Sequence, residues 1–229
     1  VFTALAIVER IWKLTKKDGE FRPINGSRWG LDIFQWGYFL ALLLISALIS
    51  TALARGDTDN DGHELQTRLV SLPAALLMFI LATLTLLSLI LNWTGIMLTF
   101  RLGSIEKDKI VKPAISYIVE DVVAVDGNGG LAYRQALSER YESSEVFRNM
   151  IWTLSVVWMV AFYVLAGIFA GLVWVLPVAA VYAVGWAGPF PVAGVLAGWT
   201  IWYVRGVLRV EGKGEEGEGE RTPLLGNRA

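Results

Sequence analysis

The sequence predicts an all-α, polytopic membrane fold, with four transmembrane helices and a small cytosolic helical hairpin. Three observations carry this expectation. The chain of 229 residues is 55% hydrophobic and only 18% charged, against about 25% charged in soluble domains. Its charges are unevenly spread, because 33–54, 69–100 and 149–204 contain no Lys, Arg, Asp, Glu or His. A bilayer core about 30 Å thick takes roughly 20 apolar residues in a helix. The first two intervals each fit one span, and the third, 56 residues long, fits two spans folded back on each other. The third observation is the asymmetry of the basic residues. Of the 20 Lys and Arg, 18 lie in 1–32, 101–148 or 205–229, and only Arg55 and Arg68 lie between spans 1 and 2. The positive-inside rule then makes both termini cytosolic.

The elements follow in order. Residues 1–32 form a cytosolic or interfacial segment. "VFTALAIVERIW" reads as an interfacial helix with Lys13, Lys16 and Lys17 on its wet side, in preference to the end of an earlier span. It lacks the basic region and small-residue cleavage site of a secretory signal. Transmembrane helices 1 and 2 occupy 33–98, at about 33–54 and 70–98, around an acidic lumenal or extracellular loop at 55–68. Pro73 falls near the start of span 2, where proline is tolerated. Residues 99–148 form the cytosolic hairpin. Helices 3 and 4 occupy 149–205, at about 149–174 and 179–205. Trp36 and Trp174 fall near span ends, as interfacial aromatics do. Residues 206–229 are Gly- and Glu-rich and read as a disordered cytosolic tail.

Within the hairpin, "KPAISYIVEDVVAVD" places Ile115, Ile118, Val122 and Val125 at helical spacing. "GNGG" at 127–130 breaks that helix, and "LAYRQALSERY" supplies a second one ending at Tyr141. Ser143 or Ser144 is positioned to cap the helix entering span 3. Glu120, Asp121 and Asp126 read as the solvated face of the first hairpin helix, with Asp126 opening the turn. The stretch "YIVEDVVAVDGNGGLAYRQALSERYESSEVFRNM" resembles a segment of uncharacterised multi-pass integral membrane proteins of filamentous fungi. The resemblance implies a fungal membrane protein and attaches no activity to it.

Composition removes several functions. A net charge of −1 offers nucleic acid no attraction, and the absence of Cys removes disulfides, Fe–S clusters and thiol nucleophiles. His63 is the single histidine, too few for a haem pair or a zinc cage. Proton-coupled carriers keep ionisable groups inside their spans, and these spans hold none. No motif supports catalysis, so the enzyme reading is not favoured.

Four motifs remain. "DTDNDGHELQTR" begins as an EF-hand loop does, with Asp57, Asp59 and Asp61 at the first, third and fifth positions and Gly62 at the turn. Its twelfth position is Arg68 where a bidentate Glu belongs. A solubilising acidic turn is the simpler reading, and a weak Ca²⁺ site the alternative. In span 4, Pro189 and Pro191 remove backbone donors and kink the helix, either for packing or to line a ligand site. Gly167 with Gly171, and Gly194 with Gly198, form GxxxG pairs that permit close helix approach, expected to join spans 3 and 4. In the tail, Glu220, Leu224 and Leu225 match an acidic-dileucine pattern. It resembles signals by which clathrin adaptors send membrane proteins to endosomes, lysosomes or the fungal vacuole.

The expected function is non-catalytic: an accessory or scaffold subunit, or a self-assembling component of an endosomal or vacuolar membrane complex. Its partners are membrane lipids, a clathrin adaptor at the tail and other membrane subunits or further copies. The alternatives are a carrier or binder of an uncharged or lipid-like ligand at the kinked fourth helix, and a weakly calcium-responsive protein. Because the chain has no Cys, single cysteines report its orientation directly. An impermeant maleimide is expected to label His63→Cys only from the lumenal or external side and Thr222→Cys only from the cytosol. Labelling of both from one compartment contradicts the partition.

Overall fold

The structure is a computed structural model. It describes the backbone at 2–16, 19–26, 30–55 and 60–225, and side chains at 7–16, 19–26, 30–54 and 62–211. The described residues are helical, without strands; two isolated antiparallel bridges, Met97 with Ile110 and Leu102 with Ile105, shape one loop. The helices are α1 (Phe2–Thr15), α2 (Ile33–Arg55), α3 (Asn60–Val70), α4 (Pro73–Trp93), α5 (Ala114–Val125), α6 (Gly130–Ser143), α7 (Glu145–Val175), α8 (Val178–Ala187) and α9 (Pro189–Leu225). Four segments are long and apolar enough to cross a membrane: Ile33–Ala54, Pro73–Trp93, Glu145–Val175 and Val178–Glu211.

Local chemistry explains where the spans differ from expectation. The second is shorter than 70–98, because Pro73 sits at the helix start and Gly95, at φ +66°, turns the chain out after Trp93. The third begins earlier than 149, because the Ser144 hydroxyl accepts the Phe147 N–H at 3.1 Å and caps α7 four residues sooner. The fourth divides at Gly188, where Pro189 supplies no N–H to continue the ladder. The expected disordered tail also differs. α9 runs beyond 205 through residues 206–225, since extending a formed helix needs no new nucleus and Glu and Arg tolerate helix well.

α4 and α7 make the most extensive helix–helix contact. Ala75 and Met78 meet Ala166 and Phe169 there, with Val184 and Val192 packed on from α8 and α9. Nearer the hairpin, Phe147, Met150, Ile151 and Leu154 of α7 receive Leu137 and Tyr141 from α6, and Trp199, Tyr203 and Val207 from α9. The two ends of α7 are about 45 Å apart for 31 residues, and they fix the topology. At its start, Ser144 donates to Glu211 at 2.6 Å and Arg140 to the same carboxylate at 2.8 Å. At its far end, Arg68 donates to the carbonyls of Val173 and Leu176. The 56–72 segment and the hairpin thus lie at opposite ends of the bundle.

The α3 end is closed by two close contacts. Trp186 Nε1–H donates to the Val70 carbonyl at 3.1 Å. A Cβ placed on Gly185 would lie 2.2 Å from the Ser71 carbonyl oxygen, so α8 reaches the α3–α4 corner only because that residue is glycine. Gly185→Ala is expected to cost about 1–3 kcal/mol by forcing the helices apart. The readout is a lowered thermal unfolding midpoint in detergent, and an unchanged midpoint refutes the contact.

Candidate functional site

The polar residues of the molecule gather at the hairpin end, where α1, the turn before α2, the 101–104 loop, α5 and α6 converge. Asp32 begins the construction. It N-caps α2, its Oδ1 accepting the Gln35 N–H at 2.8 Å. Asp121 of α5 reaches the same helix terminus, its Oδ2 accepting the Phe34 N–H at 3.1 Å. Two carboxylates therefore meet the positive end of the α2 dipole, one local and one 87 residues away. Both residues are fully buried.

Two arginines answer them. Arg10 of α1 donates to Asp32 Oδ2 at 2.6 Å and to the Asp121 carbonyl at 3.2 Å. It also pairs with half-exposed Asp126 and lies 4.7 Å over the Phe34 ring. Arg134 of α6, with no exposed surface, forks between Asp121 Oδ1 at 2.6 Å and Glu120 Oε1 at 2.9 Å. Its other terminal nitrogen lies 3.8 Å from Asp32 Oδ2. Ser104 donates its hydroxyl to Asp121 Oδ1. A Cβ on Gly103, at φ +57°, would sit 2.7 Å from the Ile33 nitrogen, so glycine allows this loop to press on the start of α2. Arg10 Nε, Arg134 Nε and Gln35 Nε2 have no partner among the described residues, each a buried donor left at a cost.

Burial decides the electrostatics. It is the main cause raising the Asp32 carboxyl from its ordinary 3.8 to about 6, and repulsion from Asp121 adds to it against the pull of Arg10. Burial likewise raises Glu120, although Arg134 opposes this. Arg134 itself is raised, since the Asp121 and Glu120 carboxylates outweigh its desolvation. Beside the cluster lies a small polar pocket lined in part by Ser104, Lys112, Tyr117, Glu120 and Ser138. Lys112 donates to Ser138 Oγ at 2.9 Å, and burial lowers its ammonium pKa despite nearby Glu120. Burial raises the Tyr117 phenol, whose oxygen accepts the Lys112 N–H at 3.0 Å.

This cluster corrects the expected solvated acid face. Glu120 and Asp121 point into the protein, and only Asp126 is exposed. The α5 pattern is corrected with it. Ser116, Tyr117, Glu120, Asp121, Ala124 and Val125 are buried, while Ile115, Ile118 and Val122 are half-buried. α1 also turns its charge inward: Arg10 and Leu14 pack against the hairpin while Val8 and Trp12 face out. Lys13, expected on the wet side, is mostly buried and donates to the Val125 carbonyl at 3.3 Å and Asn128 Oδ1 at 3.0 Å. Lys16 lies over the Trp12 ring, and Lys17 falls outside the described residues.

The other candidate residues do not join this site. Asp57 and Asp59 lie outside the described residues. Asp61 lies in the first turn of α3, its side chain also outside them. The rest of the EF-hand-like segment is helical, and Arg68 at its twelfth position is held by Glu64 at 2.6 Å and by α7 carbonyls. Among the described residues, no group of three or more His, Cys, Asp or Glu is placed to hold a metal ion. Pro189 is buried at the α8–α9 kink, and Pro191 is exposed. Gly167, Gly171, Gly194 and Gly198 do not join spans 3 and 4 as expected, for a Cβ on any of them would meet nothing within 4 Å. The α7–α9 contact runs instead through larger side chains such as Trp158, whose Nε1–H donates to Thr200 Oγ1 at 3.0 Å. Glu220, Leu224 and Leu225 lie on the α9 backbone, with side chains outside the described residues.

Four candidate membrane helices and a charge-locked helical hairpin define the class: an all-helical protein whose buried ionic cluster sits at one end of an apolar bundle. The chain belongs to the family described as a domain of unknown function, DUF8766, which matches residues 3–214. No curated protein and no solved structure matches it.

Removing a buried partner leaves its counter-charge stranded, which costs about 3–5 kcal/mol. Arg134→Met is therefore expected to destabilise the protein by that amount. Arg134→Lys is expected to recover little, because one ammonium cannot fork between two carboxylates. Denaturation in detergent checks both, and an Arg134→Met variant of unchanged stability refutes the assignment.

Proposed function

We propose that this is a non-catalytic integral membrane protein, acting as an accessory or scaffold subunit or as a self-assembling component of an endosomal or vacuolar membrane complex. The observation that carries this reading is the open stripe of small residues on two spans. Gly167 and Gly171 on α7, and Gly194 and Gly198 on α9, meet no side chain of their own chain, and their neighbours Val164, Ile168 and Val195 are exposed. In lipid, apolar exposure alone gives no reason to associate, and small residues that let backbones approach do. A transmembrane helix of a partner subunit or a further copy is the occupant this chemistry fits. The hairpin at 113–148, tied to the spans by the charge cluster, offers a rigid second surface for the same partner.

Orientation and destination complete the proposal. The bias of Lys and Arg supports cytosolic termini, which puts Glu220, Leu224 and Leu225 within reach of a clathrin adaptor. Two adjacent leucines fill apolar pockets and the upstream carboxylate meets a basic patch. In a filamentous fungus, the host implied by the resemblance of the hairpin segment, the receiving compartment is the vacuole. Geometry favours packing over carriage at the kink, since Val184 and Val192 on either side of it pack against the α4–α7 core.

Native mass spectrometry from mild detergent tests the assembly. The wild-type chain is expected as a homo-oligomer or with a stoichiometric partner, and Gly167→Leu/Gly171→Leu or Gly194→Leu/Gly198→Leu is expected to release the monomer. A monomeric wild type without a partner refutes it. For sorting, Leu224→Ala/Leu225→Ala is expected to move most of a tagged protein from the vacuolar or endosomal membrane to the cell surface. An unchanged distribution removes the signal.

A further inference from the structure

The charge cluster has a stoichiometry that its packing does not balance. Three buried carboxylates, Asp32, Glu120 and Asp121, face two buried guanidiniums, Arg10 and Arg134. A fourth carboxylate, Asp126, leans on Arg10 from the surface. One negative charge is left over where water is excluded, and burial of an unpaired charge is among the most costly arrangements available to a protein. The inexpensive remedy is a proton. Two carboxylates that cannot both ionise at full strength share the burden by raising the proton affinity of one.

The groups around Asp32 come from each element that packs on it. α1 contributes Arg10, α5 contributes Asp121 with Glu120 and Asp126 beside it, and α6 contributes Arg134. The 101–104 loop contributes the neutral Ser104 hydroxyl. α2 contributes the Gln35 N–H. The same set is also an interface, because the Arg10 contacts to Asp32, Asp126 and the Asp121 carbonyl join α1 to α2 and α5.

We propose that the Asp32 cluster is a proton-binding latch, whose protonation tightens the docking of α1 and whose deprotonation loosens it. The sign follows from linkage. Docked, Asp32 holds its proton up to about pH 6; undocked and wetted, it returns to the ordinary carboxylate range near 3.9. The docked form therefore binds the proton more tightly, and docking takes a proton up. Stability from this group is full below about pH 4, where both forms are protonated. It falls as pH rises through about 6 and stays low above that. The difference allows at most about a hundredfold change in the docking equilibrium. Glu120, also raised by burial, pulls in the same direction. The latch reads pH on the side of the membrane that carries the hairpin and α1, and its effect is passed to the first residues of the first span.

Spin labels on Val8→Cys and Gln135→Cys test the latch, both sites being exposed and the native chain having no Cys. The full chain in lipid nanodiscs is measured by pulsed dipolar spectroscopy at about pH 5.5 and about pH 8, either side of the expected midpoint. One short, narrow distance is expected at the lower pH, with a longer population growing at the higher. Asp32→Asn, permanently neutral, is expected to give the narrow distance at both. An identical distribution at both pH values in the native background overturns the proposal. So does a variant that keeps the full pH response, or one undocked at both values, which would make the ionised pair the hold. Infrared difference spectra of the wild-type chain supply a reading independent of any variant. A protonated-carboxyl stretch that titrates with a midpoint near pH 6 is expected, and no such band overturns the proposal.

Discussion

The arrangement rests on how the first span begins. α2 carries no charge from Ile33 to Ala54, and its free N–H groups need acceptors that the apolar surroundings do not supply. Asp32 meets one and Asp121, from a helix far along the chain, meets the next. Putting two carboxylates there in full burial forces everything that follows. Arg10 and Arg134 must come in from opposite sides to answer them. α1 and α6 are thereby fixed, and α5 is fixed between them. The hairpin is too small to hold itself together by apolar burial alone; it is held by being part of the helix cap of a span.

The same economy governs the rest of the bundle. Polar contacts sit at the ends of α7, through Arg68 at one and Glu211 at the other, while its length packs by apolar side chains. Glycine is used in two different ways. At Gly185 and Gly103 it permits a backbone contact within the chain that a methyl group would block. At the four GxxxG positions it faces outward and leaves room that the chain does not fill. Those positions are what the scaffold reading depends on.

Much of the fold was legible because the membrane signal is strong. Charge-free intervals gave the four candidate helices within a few residues, and the Ser144 cap and the hairpin break at 127–130 were readable from local chemistry. The ionic cluster was not. Asp32 and Asp121 are 89 positions apart and Arg10 and Arg134 further still, and no spacing rule links them. One signal was present in "YIVEDVVAV". A helix with Ile118, Val119, Val122 and Val123 around its circumference has no polar face on which to place Glu120 and Asp121, so that acid pair belongs inside with a cation. The glycine pairs misled for the opposite reason, since GxxxG states that a close approach is possible without stating to which helix.

The family match bears on how these features are weighted. It runs over 3–214, and so takes in Arg10, Asp32, Glu120, Asp121, Arg134, all four outward glycines and the Glu211 tie to Ser144. It stops short of Glu220, Leu224 and Leu225. A latch and an open helix face inside the matched region are properties of the module itself, while an address beyond it concerns where this chain is sent. A destination signal is easily exchanged, because it needs only a few residues on an exposed tail. A buried cluster in which each removed partner strands its neighbour is not. The physical role of the module is therefore to be sought in the coupling of α1 and the hairpin to the first span, and the tail read as a separate instruction.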